Sequence, residues 1–245
     1  MTGTGKTALV TGGSRGIGAA IARRLGAEGY AVGVVYAGSA AAAQEVVAAI
    51  VAAGGRAQAL QADLADPAAV PALFAAAEAA FGGLDLVVTS AGVMELAPLA
   101  ASDDAMIARQ IAVNLTGTIL CLREAARRLR DGGRIVTLSS TVVATHFESY
   151  GVYTATKAAV EALTPILARE LRGRAITVNS VAPGPTGTDL FLAGKPPELI
   201  EKLAQANPLG RLGAPEDIAD VVAFLAGPQG GWINGQVIRA NGGMA

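Results

Sequence analysis

The sequence predicts an α/β protein, a doubly wound parallel sheet with helices on both faces. Two observations carry that prediction. Short runs rich in Val, Leu, Ile and Thr alternate with Ala-rich stretches of helical length along the chain, the pattern of successive βαβ units. The first run ends in a glycine-rich loop that opens a helix, Thr11-Gly-Gly-Ser-Arg-Gly-Ile-Gly18. Nothing in the composition marks a linker or an internal repeat, so residues 1–245 read as a single domain.

Thr7–Thr11 is the first strand, and the helix after the loop reaches about Glu28. Ala31–Tyr36 and Arg56–Gln61 are the next strands, separated by a helix over 40–53. Asp66-Pro67 fits an N-cap with proline at the first helical position, opening a helix to about Phe81. Leu84–Thr89 is the fourth strand. Residues 103–130 read as one long helix whose basic end, Arg127, Arg128 and Arg130, suits the negative pole of its dipole. Strands at 134–139 and 175–181 flank a second long helix at 150–172, and Pro215–Ala226 precedes a short last strand at 236–239. Pro165 falls inside the 150–172 helix and cannot donate to the carbonyl of Glu161, which predicts a kink.

Of the 245 residues, 52% are hydrophobic and only 16% charged, against a usual charged share of about 25%. Such a chain buries a large core, which excludes disorder. Nineteen Lys and Arg against twenty Asp and Glu leave a net charge of -1. That balance argues against nucleic acid or an anionic membrane as the main partner. The single cysteine, Cys121, allows no internal disulfide. Residues 1–6 are polar and glycine-rich without a signal-like apolar core, and the uncharged run 29–44 is broken by Gly33, Gly38 and Ser39. The expectation is a soluble, cytoplasmic protein.

Gly12, Gly16 and Gly18 let the backbone turn tightly and approach a pyrophosphate resting on the helix N-terminus. Ser14, Arg15 and Ile17 complete the loop. Because a strand precedes it and a helix follows, it reads as a dinucleotide site rather than an ordinary turn. Gly5-Lys6-Thr7 imitates the end of a phosphate loop but precedes a strand instead of following one. The end of the second strand decides which nicotinamide cofactor binds, since an acid there would take a ribose 2′-OH and repel a 2′-phosphate. Val34-Val-Tyr-Ala-Gly-Ser39 holds no acid, while Arg15 offers a cation and Ser39 a hydroxyl. That combination points to NADP(H).

Tyr153-Thr-Ala-Thr-Lys157 places a phenol and an ammonium at i and i+4, on one helix face. A phenol at its ordinary pKa of about 10 is a poor acid–base catalyst at neutral pH. A neighbouring cation favours the phenolate. Leu138-Ser-Ser140 ends the fifth strand at the carboxyl edge of the sheet, where ligands of open α/β folds bind.

Together these residues resemble the single-domain branch of the short-chain dehydrogenase/reductase family, over essentially the whole chain. The glycine loop, Asp63, Asn114, Ser140, Tyr153, Lys157 and Pro183-Gly184 fall in the family's order. Asn207-Pro-Leu-Gly-Arg-Leu-Gly-Ala-Pro-Glu-Asp217 and Asn241-Gly-Gly243 resemble its 3-oxoacyl-(acyl-carrier-protein) reductase-like members. The resemblance implies a Rossmann-type sheet of seven strands in the order 3-2-1-4-5-6-7, a homotetramer, and hydride transfer from the nicotinamide to a carbonyl carbon. It makes Tyr153 the general acid in reduction, with Lys157 lowering the phenol pKa and holding the ribose. Ser140 would bind the substrate oxygen, and Asn114 a relay water. It places Asp63 on the adenine amino group with Leu64 beside it. Ser90, Ala91 and Gly92 would pass under the cofactor, with Pro183, Gly184 and Thr188 at its nicotinamide end.

Thr89-Ser-Ala-Gly92 departs from the family's Asn-Asn-Ala-Gly and so loses side chains that brace the sheet. Residues 186–206 are expected to form a substrate lid. With Val142, Val143 and Phe147 they would make an apolar pocket for a hydrophobic or aryl ketone. Arg127, Arg128, Arg130, Arg172 and Arg174 would give a basic mouth for an acidic carrier protein, unless they serve helix ends. His146 either lines the pocket or faces solvent. The sequence contains no metal-ligand cluster. The functional expectation is NADPH-dependent reduction of a small-molecule ketone or an acyl-thioester carbonyl. The alternatives are a cofactor-binding regulator or scaffold, and an NAD-dependent alcohol dehydrogenase.

Overall fold

The computed structural model describes residues 5–245. The apolar runs become seven strands: β1 (Thr7–Thr11), β2 (Ala31–Tyr36), β3 (Arg56–Gln61), β4 (Leu84–Thr89), β5 (Leu129–Leu138), β6 (Thr177–Pro183) and β7 (Val237–Ala240). The helices are α1 (Gly16–Ala27), α2 (Ala40–Ala52), α3 (Ala69–Phe81), α4 (Asp104–Gln110), α5 (Thr118–Arg128), α6 (Val142–Thr145), α7 (Gly151–Glu170), α8 (Asp189–Leu192), α9 (Pro197–Gln205) and α10 (Pro215–Ala226).

All seven strands pair in parallel in the order β3-β2-β1-β4-β5-β6-β7. Parallel strands need crossovers, and the crossover helices cover both faces. On one face Ile21, Leu25, Val46, Ile50, Ile218 and Leu225 from α1, α2 and α10 pack against Val10, Val34, Val88 and Val136. On the other, Phe74, Cys121, Ala125 and Leu167 pack against Leu9, Val87, Ile135 and Val178. The chain reaches β2 and β3 on one side of β1, then returns to β4 on the other. That reversal opens a crevice at the carboxyl ends of β1 and β4, where ligands bind in such sheets.

Several boundaries differ from the expectation, each for a local reason. α3 starts at Ala69 rather than Pro67, because Asp66 closes a turn: its Oδ1 accepts from Ala68 N at 2.9 Å and its carbonyl from Ala69 N at 3.1 Å. The long helix expected at 103–130 is α4, a π-helical turn over Ile111–Gly117, and α5, with Asp103 as the N-cap accepting from Met106 N. It ends at Arg128 because Leu129 is already strand, pairing with Leu84 before a register shift at Leu84/Leu86. β6 begins two residues late, after Ala175 with its left-handed φ of 52°. α7 runs as one helix through Pro165, which has no N–H to give the Glu161 carbonyl. By length and apolar character alone, Asp104–Arg128 could cross a membrane; here its inner side lies in the core through Cys121, Leu122 and Ala125.

Candidate functional site

The site is built where β1 and β4 end. The Thr11 hydroxyl accepts from the Ser90 and Ala91 N–H groups, both at 3.1 Å, tying the two loops together across the crevice. It braces the segment where the missing Asn side chains left stability in question. Gly12 turns with φ +63°, and a Cβ there would sit 2.8 Å from Ala91 Cα. A Cβ on Gly18 would overlap the Gly12 carbonyl oxygen, so only glycine lets α1 start this close to the loop. The first turn of α1 carries no acid, leaving its N-terminal N–H groups and dipole for an anion. Arg15 is the exposed N-cap residue, and its side chain has no hydrogen bond or ion pair among the described residues. These features fit the phosphates of a dinucleotide.

The crevice is a cavity of about 870 Å³. It brings together Gly12, Arg15, Gly16, Ile17 and Gly18 from the loop, and Ser90, Ala91 and Gly92 from the end of β4. Ser140 follows β5, Tyr153 and Lys157 come from α7, and Pro183, Gly184 and Thr188 follow β6. Five expected residues lie outside this lining. Ser14 sits in the loop between residues that do line it. Ser39 caps α2, its hydroxyl accepting from Ala42 N at 3.4 Å. Asp63 binds Ala65 N and faces Arg109 at 3.6 Å, half-exposed. Leu64 is buried in the core beneath α5, so its side chain turns from the cavity. Asn114 is fully buried, holding both backbone groups of Val93 at 2.8 Å and Thr156 Oγ1 at 3.4 Å.

The chemistry gathers at α7. Burial pushes the Tyr153 phenol up to about 12, the neighbouring Ser140 hydroxyl acting the other way, with Tyr150 adding to the rise. The expected lowering by Lys157 does not govern this phenol: its ammonium donates to the Leu138 carbonyl at 2.8 Å and lies 5.7 Å from the Tyr153 ring centre. Burial pulls Lys157 down to about 8. Asn114 reaches this group through Gly92, where a Cβ would stand 3.4 Å from Asn114 Oδ1 and 3.7 Å from Lys157 Nζ. Asn114 lies in the π turn, a wide turn common at functional sites.

α8 and α9 close one side. Thr188 caps α8, accepting from Phe191 N at 3.2 Å, and its methyl group lies over Gly16. Phe147, Val142 and Tyr150 form the facing wall, with the Phe147 and Tyr150 rings 5.9 Å apart. Val143 is not part of it, and His146 points to solvent in a left-handed conformation. The basic mouth expected from the arginines is absent. Arg127 and Arg128 pair with Glu124, Arg128 also with Glu78, Arg130 with Asp85 and Arg174 with Asp131. These pairs cluster where β4 and β5 begin, at the opposite edge of the sheet from the cavity, and Arg172 follows the far end of α7. Among the described residues no cluster of His, Cys, Asp or Glu could hold a metal.

Sequence reasoning missed the bracing role of Thr11, and it missed Tyr150, Met94, Met244 and two lysines, Lys195 and Lys202, that line the cavity. The signal for Lys202 was there: Leu199, Lys202, Leu203 and Ala206 stand at i, i+3, i+4 and i+7 of one helix face. Met244 had none, because a tail residue reaches the cavity only through the tertiary fold.

A family model described as Enoyl-(Acyl carrier protein) reductase matches residues 12–245. A short-chain type dehydrogenase/reductase of Picea abies is 47% identical over 250 residues, covering 98% of this chain and 92% of its own. NADPH-dependent aldehyde reductase 2, chloroplastic, of Arabidopsis thaliana is 45% identical over 254 residues, covering 98% and 93%. The crystal structure of the angucycline C-6 ketoreductase LanV with bound NADP is 41% identical, with a TM-score of 0.94 over 100% of this chain and 98% of that one. Sequence and backbone agree from end to end: the chain belongs to the short-chain dehydrogenase/reductase family.

Proposed function

We propose that the protein is an NADPH-dependent carbonyl reductase that converts a small-molecule ketone to its alcohol, with Tyr153 as general acid. The observation that carries this reading is the Tyr153 phenol beside the Ser140 hydroxyl in a cavity shared with Lys157 and the glycine loop. The relatives support it, since two of them are named as an NADPH-dependent aldehyde reductase and a ketoreductase with bound NADP. The nicotinamide, when bound, supplies hydride to the carbonyl carbon.

The chain's own part is to hold the carbonyl and give it a proton. The Ser140 hydroxyl and the Tyr153 phenol converge on one oxygen, where negative charge develops in the transition state. Burial keeps the phenol protonated at neutral pH, the form that gives up a proton in reduction. A pKa so far above neutrality makes it a weak acid, so efficient transfer would need a cationic neighbour to bring it down. Lys157, next to Gly92, would hold the ribose hydroxyls, and Asn114 would order the relay water beside it. Arg15 and Ser39 would take the 2′-phosphate, and Asp63 with the Leu64 backbone the adenine. Pro183, Gly184 and Thr188 would face the nicotinamide. A free ketone is favoured over a carrier-bound one, because the arginines that might dock a carrier lie at the other edge.

Decay of NADPH absorbance with a panel of aryl ketones tests this reading. Turnover should be faster with NADPH than with NADH, and Tyr153→Phe should lose about 10²–10⁴-fold in kcat while still binding NADPH. Full activity in that variant removes the acid role, and a preference for NADH removes the reading of Arg15 and Ser39.

The same reading includes a homotetramer. Ile119 on α5, Ile166 on α7, and Phe224 and Trp232 near β7 leave 41%, 53%, 47% and 99% of their surfaces exposed in the single chain. Isologous contacts would cover them. Light scattering at micromolar concentration should give four chains, and a monomer would contradict it.

A further inference from the structure

We propose that Lys195 and Lys202 form a subsite for an anionic oxygen group, such as a carboxylate, carried by the ketone substrate. The inference rests on the reductase reading and narrows its substrate class. α9 turns Leu199, Lys202, Leu203 and Ala206 toward the cavity, so a lysine stands in the middle of an otherwise apolar face. Glu198 and Glu201 share the helix, yet Lys202 makes no ion pair within 4 Å among the described residues, and Glu201 accepts instead from Gln205 at 2.8 Å.

Lys195 is already aimed. Its Nζ donates to the Phe191 carbonyl and lies 4.6 Å over the Phe191 ring centre. An ammonium carries three donors, and this contact uses one of them. Burial lowers its pKa from the ordinary lysine value, the condition an anionic neighbour would reverse.

The other charges facing the cavity divide by position. Arg15 belongs to the glycine loop, and Asp189 follows Thr188, whose side chain lies over Gly16 of that loop and which would face the nicotinamide. Lys157 is turned to Leu138. α9 instead runs to Asn207, which donates to the Asn241 carbonyl at 2.7 Å, and Pro208 packs on Gly243 beside Met244. Lys202, on α9, therefore belongs to the wall that meets the C-terminal segment, and Lys195 to the α8 end of the same side of the cavity. Across from the lid stand Phe147 and Tyr150. An aromatic body against those rings with an acidic end at the lid matches both walls.

The test compares 4-acetylbenzoate with its methyl ester, two ketones of nearly equal shape that differ in charge. The unmodified enzyme should prefer the carboxylate in kcat/KM, and Lys202→Gln should cut the carboxylate-to-ester ratio about tenfold or more, the scale of a charge-assisted hydrogen bond. Lys195→Gln should lower it in the same direction. An unchanged ratio in both variants overturns the subsite. So does a rise in the NADPH dissociation constant of Lys202→Gln with the ratio unchanged, which assigns that lysine to the cofactor. If neither ketone is reduced although NADPH binds, the reductase reading falls by itself. Calorimetric binding of 4-acetylbenzoate to the enzyme–NADP⁺ complex then still decides the subsite: weaker binding in Lys202→Gln supports it, equal binding overturns it.

Discussion

The two walls of the cavity are held in place by different means. The floor, made by the loops after β1 and β4 and by the start of α7, is fixed by buried contacts. Thr11 binds two backbone N–H groups, Asn114 clamps Val93, Lys157 reaches the Leu138 carbonyl, and Gly12 and Gly18 admit no side chain. The lid, α8 and α9, buries only Ala204 and leaves Leu190 and Leu199 at 48% and 40% exposure. On the proposed function, chemistry that needs fixed geometry would sit on the first, and selection of substrate would be left to the second. The contrast has a thermodynamic form. Changes in the floor should act on folding and catalysis together, and changes in the lid on substrate affinity alone.

The largest expected effect comes from the buried ammonium of the floor. Lys157 is about 8 in the folded chain against 10.5 for an ordinary lysine, so between those pH values the unfolded chain binds more protons. Stability from this group is therefore lowest below pH 8 and rises as pH climbs toward 10.5. Lys157→Met removes the titration but also leaves the Leu138 carbonyl without its donor. The unfolding free energy of the parent minus that of the variant should grow by on the order of 3 kcal/mol across that window. Urea titrations at pH 7 and above pH 10 measure it. A flat difference would mean that the lysine is solvated in the folded chain and that the floor is wetter than its contacts indicate.

A smaller effect is expected at the glycine loop. Gly18→Ala would drive a Cβ into the Gly12 carbonyl, and neither backbone segment can yield without moving Thr11 or Ala91. Overpacking of this kind costs about 1–3 kcal/mol, or a few degrees in Tm for a chain of this size. NADPH affinity should fall with it, because the displaced loop carries the phosphate site. Loss of stability with unchanged NADPH binding would separate the two and refute the loop's double role.

The same contrast explains what could be read in advance. Ala31–Tyr36 and Leu84–Thr89 stand where their apolar runs placed them, because a strand covered on both faces must be apolar throughout, while the edge strand Arg56–Gln61 keeps its polar residues exposed. Ser140, Tyr153 and Lys157 were legible because spacing along one strand end and one helix face already puts them together. The π turn at Ile111–Gly117 was not, since Ile-Ala-Val-Asn-Leu-Thr-Gly continues the helical apolar pattern, and its packing against α7 is a tertiary contact that this pattern does not show. Leu129 was missed as a strand residue because polar Arg130 and Asp131 hide the pairing with Leu84. The arginine patch failed for another reason: sequence gives the charges, but only the topology tells which edge of the sheet they occupy. The division of the expected 186–206 lid into α8 and α9 was not legible, because helices of four and nine residues show little of the helical period.

The smallest stability effect is predicted for the lid, where the comparison is most easily broken. Phe191 lies half-buried on α8, lines the cavity and supports Lys195 with its ring. It packs against neither core. Phe191→Ala should therefore change the unfolding free energy by no more than about 0.5 kcal/mol, the range of a surface substitution, and Tm by no more than about 2 °C. The KM for an aryl ketone should nonetheless rise several-fold, because the ring's apolar area no longer meets the ligand, while kcat stays near its parent value because Ser140 and Tyr153 are untouched. Thermal unfolding and steady-state kinetics on the same preparation read both quantities. If Phe191→Ala lowers Tm as far as Gly18→Ala, the lid is part of the cooperative core and the division between the two walls fails. If kcat falls with KM unmoved, the ring acts in the chemical step, and selection and catalysis are not housed separately.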